Sequence, residues 1–487
     1  MGTHTVEKIG GTSMSRFDDV YDKVIAHGRS GKDLYQRIFV VSAYGGITDL
    51  LLEHKKTRKP GVYSLFTDTE QSWAWGDAIS KVCEKMCAVN AEMFEDDLDR
   101  QTADSFVRER IEGVRSCLID LQRLCSFGHF QLDEHLQTVR EMLSALGEAH
   151  SAHNMTLLIK NRGINARFID LTGWRENEHY QLDEKIDRYL NDVDFSKELP
   201  IVTGYAQCTE GLMHTYDRGY TEITFSRIAV ITEAREAVIH KEYHLSSADP
   251  RLVGVDNAQV IGRTNYDVAD QLSALGMEAI HPRAAKGLRQ SQIPLRVRNT
   301  FEPDHPGTLI TGDWRAEEPR VEIVAGQPHL VGIEVHDQDM VGGLGYDQRC
   351  LEVLERQKLR YVGKDTNANT ITHYLSASLN RIQKLADAMQ REFPQAEITL
   401  RKVALVAAIG SNLDVPGLMA TAVHALASRG INILGMHQNM RQVDIQFVLA
   451  EEDYEEAVVA LHRALVESGP GAGDTASETV EETANAQ

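Results

Sequence analysis

The feature that most constrains this chain is a turn that recurs where short apolar runs end. Its first copy is Lys8-Ile9-Gly10-Gly11-Thr12-Ser13, which follows a β-prone lead from Thr3 to Val6 and precedes an amphipathic, helix-like run from Arg16 to Ile25. Glycines let backbone N–H groups approach an anion without a Cβ in the way. A helix amino terminus beyond them adds positive partial charge, and Lys8 supplies a full one that can bridge phosphate oxygens. The lysine precedes the glycines, so this is not a Walker A loop. The same composition also serves chain geometry alone, and the turn by itself leaves both readings open.

The scheme repeats. Ile38 to Ser42 is a buried-strand pattern followed by Ala43-Tyr44-Gly45-Gly46 and a helical run from Ile47 to Lys55. Ala166 to Asp170, Pro200 to Tyr205 and Ala237 to His240 read as further strands that end in glycine or polar turns. Strands that alternate with helices in this way predict an α/β domain whose site lies at the carboxyl edge of a mostly parallel sheet. That domain is expected over 1–312, with a helical insertion at about 58–146 that is charged on one face. A linker from Trp314 to Pro319 should follow, then two βαββαβ units of ferredoxin-like form over 320–395 and 400–468. The small, acidic stretch 469–487 has no periodicity and is expected to be disordered.

Bulk properties exclude several functions. A formal net charge of -21 without a compensating basic stretch argues against nucleic-acid binding. Six cysteines are scattered without Cys-x-x-Cys pairing and read as reduced thiols; Cys83 and Cys87, one helical turn apart, have no companion ligands for zinc. No signal peptide opens the sequence, and no apolar run approaches the roughly 18 residues of a membrane span. The expected location is the cytoplasm.

Further segments gather glycine, hydroxyl, carboxylate and arginine residues: Ser42 to Asp49, Gly147-Glu148-Ala149-His150-Ser151, Asp217-Arg218-Gly219-Tyr220-Thr221-Glu222, and the loop Lys241 to Arg251. With these, the sequence resembles the aspartate kinases of the amino-acid kinase family. K-I-G-G-T-S is similar to the family's K-F-G-G-T-S, and V-V-S-A-Y-G-G-I-T-D to its V-V-S-A-M-x-G-x-T-D. G-E-A-H-S stands where the family has G-E-x-x-S. D-R-G-Y-T-E resembles G-R-G-G-S-D, S-A-D-P-R resembles T-A-D-P-R, and G-M-E-A-I-H-P resembles G-A-K-V-L-H-P. The two carboxyl-terminal units resemble paired regulatory ACT domains, with Val415-Pro416-Gly417 and Gly430-Ile431-Asn432-Ile433 as the signature pieces of the second. The likeness covers nearly the whole chain outside the helical insertion and the tail.

The resemblance implies an amino-acid kinase fold with tandem ACT domains and ATP-dependent phosphorylation of the β-carboxylate of L-aspartate. In that chemistry, positioning and charge neutralisation matter more than covalent catalysis. It implies that Lys8 and Glu222 are catalytic, and that Ser42, Thr48, Glu148, Arg218 and Thr221 hold the amino acid. Glu148 suits an ammonium group, and Arg218 a carboxylate gripped through two hydrogen bonds. Lys8, Gly10, Gly11, Thr12, Lys241, Glu242, Ser247, Asp249 and Arg251 would bind ATP, with Mg²⁺ held mainly by its phosphates and water. Asn367, Asn369, Thr370, Asn412, Asp414 and Asn432 are the candidates for an amino-acid effector, and a homodimer or higher homo-oligomer is implied.

Three departures from the family pattern stand out. Tyr220-Thr221-Glu222 replaces Gly-Ser-Asp, the loop after His240 is shorter and lacks Val-Asp-Gly, and Glu278 stands where relatives have lysine. The combination resembles the divergent aspartate kinases associated with ectoine biosynthesis. Two other readings remain at this stage: a kinase for another amino acid such as glutamate, and an amino-acid-sensing regulator whose kinase site has decayed.

Overall fold

The computed structural model describes residues 2–55, 57–68, 73–216, 219–277 and 279–468. The chain divides into two compact units, one of residues 1–244 with 280–311, the other of residues 245–279 with 312–487. The first unit therefore leaves out 245–279, although those residues lie inside the stretch the sequence pattern assigns to one domain.

Seven strands of the first unit share a sheet. They are β1 (Thr5–Ile9), β2 (Arg37–Val41), β3 (Ala166–Ile169), β4 (Leu199–Thr203), β5 (Glu236–Lys241), β6 (Leu295–Asn299) and β7 (Thr308–Thr311), in the order β3-β4-β2-β1-β5-β6-β7. All neighbours are parallel except β6 and β7. β2 reads Arg-Ile-Phe-Val-Val with every residue buried, as expected of a parallel strand covered on both faces. β1 runs three residues beyond the predicted lead-in from Thr3 to Val6, so Glu7, Lys8 and Ile9 belong to the strand and not to the turn. The helical run expected from Arg16 to Ile25 consists of Phe17–Val20 and a π-helical turn Tyr21–Ile25, with a separate short helix Gly11–Met14 before it.

The insertion consists mainly of α1 (Ala74–Met93), α2 (Asp97–Cys125) and α3 (Leu136–Asn161). Asp96 caps α2 by accepting the N–H groups of Leu98 and Asp99. α3 passes straight through the expected boundary at residue 146. Its middle, Leu143 to Ala152, is buried throughout, so it cannot end there without exposing apolar surface. α4 (Tyr220–Ile231) completes the elements that shape the site.

The second unit holds a six-stranded antiparallel sheet built on two long strands, β8 (Ile323–His336) and β11 (Glu397–Ile409). β9 (Tyr361–Thr366), β10 (Thr370–Leu375), β12 (Ile433–Gln438) and β13 (Asp444–Ala450) complete the order β9-β10-β8-β11-β13-β12. β10 pairs with residues 331–336 of β8, while β13 pairs with residues 403–409 of β11. The two ferredoxin-like halves are thus not laid end to end. The second half borrows the amino-terminal stretch of β8, which precedes the first half in sequence. Helices Tyr346–Arg356 and Leu379–Glu392 cover one apolar cluster, around Ile333, Val335 and Leu385. Helices Leu418–Ala427 and Tyr454–His462 cover another, around Val406, Phe447 and Leu461, which Ala248 and Val253 of the segment 245–279 join.

The segment expected to be a linker is pinned. The Ala316 N–H donates to Ser411 Oγ at 3.0 Å, and the Asn412 side-chain amide donates to the Ala316 carbonyl at 2.9 Å. All six cysteines are free thiols. Among the described residues no helix is long and apolar enough to cross a membrane.

Candidate active site

Four neighbouring parallel strands end at one edge of the first unit's sheet, and candidate residues follow each of them. β1 delivers Gly10 and Gly11, β2 delivers Ser42, β4 delivers Gly204, and β5 ends in Lys241 with Glu242 next. This is the carboxyl edge, where open parallel sheets take their ligands. The turns touch closely: a Cβ on Gly11 would lie 2.4 Å from the Ala43 carbonyl oxygen, so only glycine lets the turns after β1 and β2 meet.

Lys8 projects from β1. Its Nζ lies 3.2 Å from Oε1 of Glu222, in the first turn of α4, and both side chains are mostly shielded, at 13% and 15% exposure. Glu222 Oε2 also accepts the backbone N–H of His281. Burial alone would raise the Glu222 pKa, but the Lys8 and Lys241 ammonium groups outweigh it and hold the carboxyl below its usual range. Two cations therefore converge on one ionised carboxylate.

Glu148 presents the opposite case. It sits buried in the middle of α3, and its Oε1 accepts the Thr221 hydroxyl at 2.5 Å. Its Oε2 is buried and has no hydrogen-bond partner among the described residues. Burial pushes its pKa up to about 8, against the Thr221 hydrogen bond and the Lys8 charge. A Cβ on residue 204 would fall 2.4 Å from Thr221 Cγ2 and 2.9 Å from Glu148 Oε2, so Gly204 is what lets both groups reach the end of β4. A desolvated carboxylate with one open oxygen is a receptor for a small cation such as an ammonium group, which would return it to the charged form.

Beside this pair, Glu242 Oε1 accepts the Ser13 hydroxyl at 2.9 Å, and Ser13 Oγ lies 3.3 Å from Thr300 Oγ1. The Thr300 N–H donates to the Lys241 carbonyl at 2.7 Å. A turn with backbone N–H groups, two nearby lysines and small hydroxyl residues has the donor set that a polyphosphate requires. Among the described residues no group of three or more His, Cys, Asp or Glu side chains is placed to hold a metal ion.

The model of the amino acid kinase family matches residues 4–299, more than half of the chain. The chain belongs to the amino acid kinase family. An ACT domain model matches residues 406–465. Aspartate kinase Ask_Ect of Stutzerimonas stutzeri is 55% identical over 464 residues, which are 95% of this chain and 98% of that protein. The aspartokinase of Candida albicans is 24% identical over 98% of this chain and 92% of its own length. Among solved structures, E. coli aspartokinase III in complex with lysine and aspartate superposes with a TM-score of 0.70 at 18% identity, covering 96% of this chain and 100% of that one. Its likeness is one of fold.

Within this member of the amino acid kinase family, the first unit brings together Lys8, Gly10, Gly11, Glu148, Thr221, Glu222, Lys241 and Glu242. Ser42 stands at the same edge, its N–H donating to the Ile9 carbonyl at 3.2 Å. Thr48 lies half-buried in the short helix Ile47–Leu51, and Thr12 is exposed in the turn Gly11–Met14. Arg218, with Asp217, falls outside the described residues, as does Glu278 and the stretch 469–487.

Three expected nucleotide residues belong to the second unit. Ser247 is fully buried, its hydroxyl lies 2.9 Å from His462 Nε2, and it accepts the Gln259 N–H at 2.9 Å. Its hydroxyl is thus already engaged within the second unit. Asp249 caps the turn Pro250–Val253 and pairs with the Arg251 guanidinium at 2.6 Å, while Arg251 itself is exposed.

Asn412 is likewise engaged by its own unit. It is buried, its Oδ1 accepts Arg315 at 2.7 Å, its amide holds Ala316, and its carbonyl accepts the Arg320 N–H. Asn367, Asn369 and Thr370 form the tight connection between β9 and β10, where the Asn367 N–H donates to the Thr370 carbonyl and Asn367 Oδ1 accepts the Asn369 N–H. Asp414 and Asn432 are exposed.

Sequence reasoning missed Ser13, Thr300 and His281. Ser13 closes the K-I-G-G-T-S motif and His281 is the cap residue before Pro282 in another, so both carried a signal, whereas Thr300 carried none. The partners of Ser13 and Thr300 come from distant parts of the sequence.

Proposed function

We propose that this chain transfers the γ-phosphoryl group of ATP to the side-chain carboxylate of L-aspartate, giving 4-phospho-L-aspartate and ADP. A carboxylate oxygen of aspartate forms the new P–O bond while the bond from γ-phosphorus to the bridging β–γ oxygen breaks and leaves with ADP. The observation that carries this reading is the Lys8–Glu222 pair beside buried Glu148 with its open oxygen. Glu148 takes the α-ammonium of aspartate, Thr221 orients Glu148, and Arg218, by its place in the family motif, takes the α-carboxylate. Lys8, held by Glu222, neutralises charge that grows on the transferring phosphoryl oxygens, and the Gly10 and Gly11 N–H groups assist it. Mg²⁺ would come with ATP, bound mainly by its phosphates and water.

The 55% identity to an aspartate kinase over almost the full chain supports aspartate as the acceptor. The product supplies aspartate-derived amino-acid and ectoine biosynthesis. The paired ACT halves support assembly into a homodimer and binding of an amino-acid effector, with Asn367, Asn369, Thr370, Asp414 and Asn432 as candidates.

The test is trapping of the acyl phosphate with hydroxylamine in the presence of ATP, Mg²⁺ and either aspartate or glutamate. Aspartyl hydroxamate is the expected product. A folded protein that yields none, or yields only the glutamyl product, sinks the proposal.

A further inference from the structure

Within the first unit, a chain of contacts runs to Thr221 and Glu148 through Glu141 and Tyr205, two residues with no assigned role. Glu141 lies on α3, two helical turns before Glu148. Its Oε1 accepts the backbone N–H groups of Met213, at 2.8 Å, and His214, at 3.1 Å, where the short helix Leu212–Tyr216 begins. Its Oε2 accepts the Tyr205 hydroxyl at 2.6 Å. Tyr205 is 2% exposed, and its backbone amide faces the Glu148 carboxylate. Its ring meets the Tyr220 ring edge-on, with centroids 5.5 Å apart and planes at 82°. Thr221, next in sequence, returns to Glu148 through its hydroxyl.

We infer that Glu141 and Tyr205 are positioning residues for aspartate, which fix the start of the helix Leu212–Tyr216 and the first residue of α4 and so set Thr221 and Glu148 in register. The inference rests on the aspartate kinase reading. A carboxylate that accepts two adjacent backbone N–H groups fixes the start of a helical turn, and it does so far better than an amide, which cannot match it in charge. Tyr220 is the bulky residue that stands in place of the family's glycine. Tyr205 gives its ring a buried edge-to-face partner, so the substitution adds rigidity to the loop instead of crowding the site. None of these groups touches the phosphoryl-transfer atoms, so their effect should fall on aspartate binding.

The experiment compares wild type with Glu141→Gln, Tyr205→Phe and the double variant. Hydrogen exchange of segment 211–221 is the first readout and needs no substrate: both single variants should speed exchange at Met213 and His214. Steady-state kinetics is the second. Each single variant should raise KM for aspartate by about five- to tenfold while KM for ATP and kcat stay within about twofold, and the double variant should be no worse than the poorer single. Unchanged exchange, an unchanged aspartate KM, or parallel losses in kcat and both KM values together with a lower Tm would each overturn the inference. Wild-type protein that fails to phosphorylate aspartate would overturn the functional reading instead, and hydrogen exchange would still decide whether the clamp exists.

Discussion

Glu148 and Glu222 are both shielded carboxyl groups in one site, yet their surroundings drive them in opposite directions. Glu222 has two ammonium groups near it and stays ionised; for Glu148 burial outweighs the Thr221 hydroxyl, the Lys8 charge and the nearby backbone amides, and pushes its pKa up to about 8. For Glu148 the sign follows from linkage. Its folded pKa lies above the unfolded value, so its contribution to stability is present below about pH 4.5 and is lost as pH rises through about 8. Binding runs the other way, because an ammonium ligand needs the carboxylate. KM for aspartate should therefore fall as pH rises from 6.5 to 8.5, and Glu148→Gln should abolish that dependence and bind aspartate weakly at every pH. A flat wild-type profile would contradict this assignment. Lys8→Ala should lower kcat by about a hundredfold or more while circular dichroism and Tm remain close to wild type, since Lys241 still neutralises Glu222. A near-normal kcat would remove Lys8 from the mechanism.

At the level of elements, the central strands are stitched by a buried charge network. The Glu7 carboxylate on β1 takes both Nε and Nη2 of Arg37, on β2, at 2.7 Å, and lies 2.7 Å from His240 Nε2 on β5. Arg37 also donates to the Val24 and Ile25 carbonyls. Burial opposes the charge on Glu7, but the Arg37 guanidinium holds its pKa well below the usual range. Glu7→Ala strands a buried guanidinium and should cost about 3–5 kcal/mol in urea unfolding, more than a surface carboxylate substitution would. Because the folded pKa is depressed, this contribution is present above pH 4.5 and disappears as pH falls through the folded value.

The network also explains what the sequence left illegible. Apolar runs such as Ile38 to Val41 and their glycine turns mark strands plainly, because burial on both faces leaves a continuous apolar signature. Glu7 and Lys8 look like the end of a strand in linear text, yet they lie inside one. Their charges are met by Arg37, His240 and Glu222, which only the folded sheet brings near. Motifs identified Lys8, Glu148 and Glu222, whereas the partners that tune them lie far away in sequence.

At the scale of the molecule, the second unit's two halves share their long strands, and the segment 245–279 adds Ala248 and Val253 to their core. Ser247 ties that segment to His462, whose Nδ1 lies 2.9 Å from Glu467. Ser247→Ala should lower Tm, by an amount equivalent to about 1–2 kcal/mol, and speed hydrogen exchange in 245–261 and 454–467. KM for ATP should not change. A selective rise in that KM would mark Ser247 as a nucleotide ligand.

The route of the chain bears on the site. Residues 245–279 are tethered covalently at both ends, at His244 and at Ile280. The first tether begins three residues after Lys241, and the second ends one residue before His281, whose N–H holds Glu222. Adjacent Cα atoms stay about 3.8 Å apart whatever the dihedral angles do. The two crossings are therefore covalently continuous with the short stretches of backbone that carry Lys241 and His281, whose ammonium and N–H groups act on Glu222.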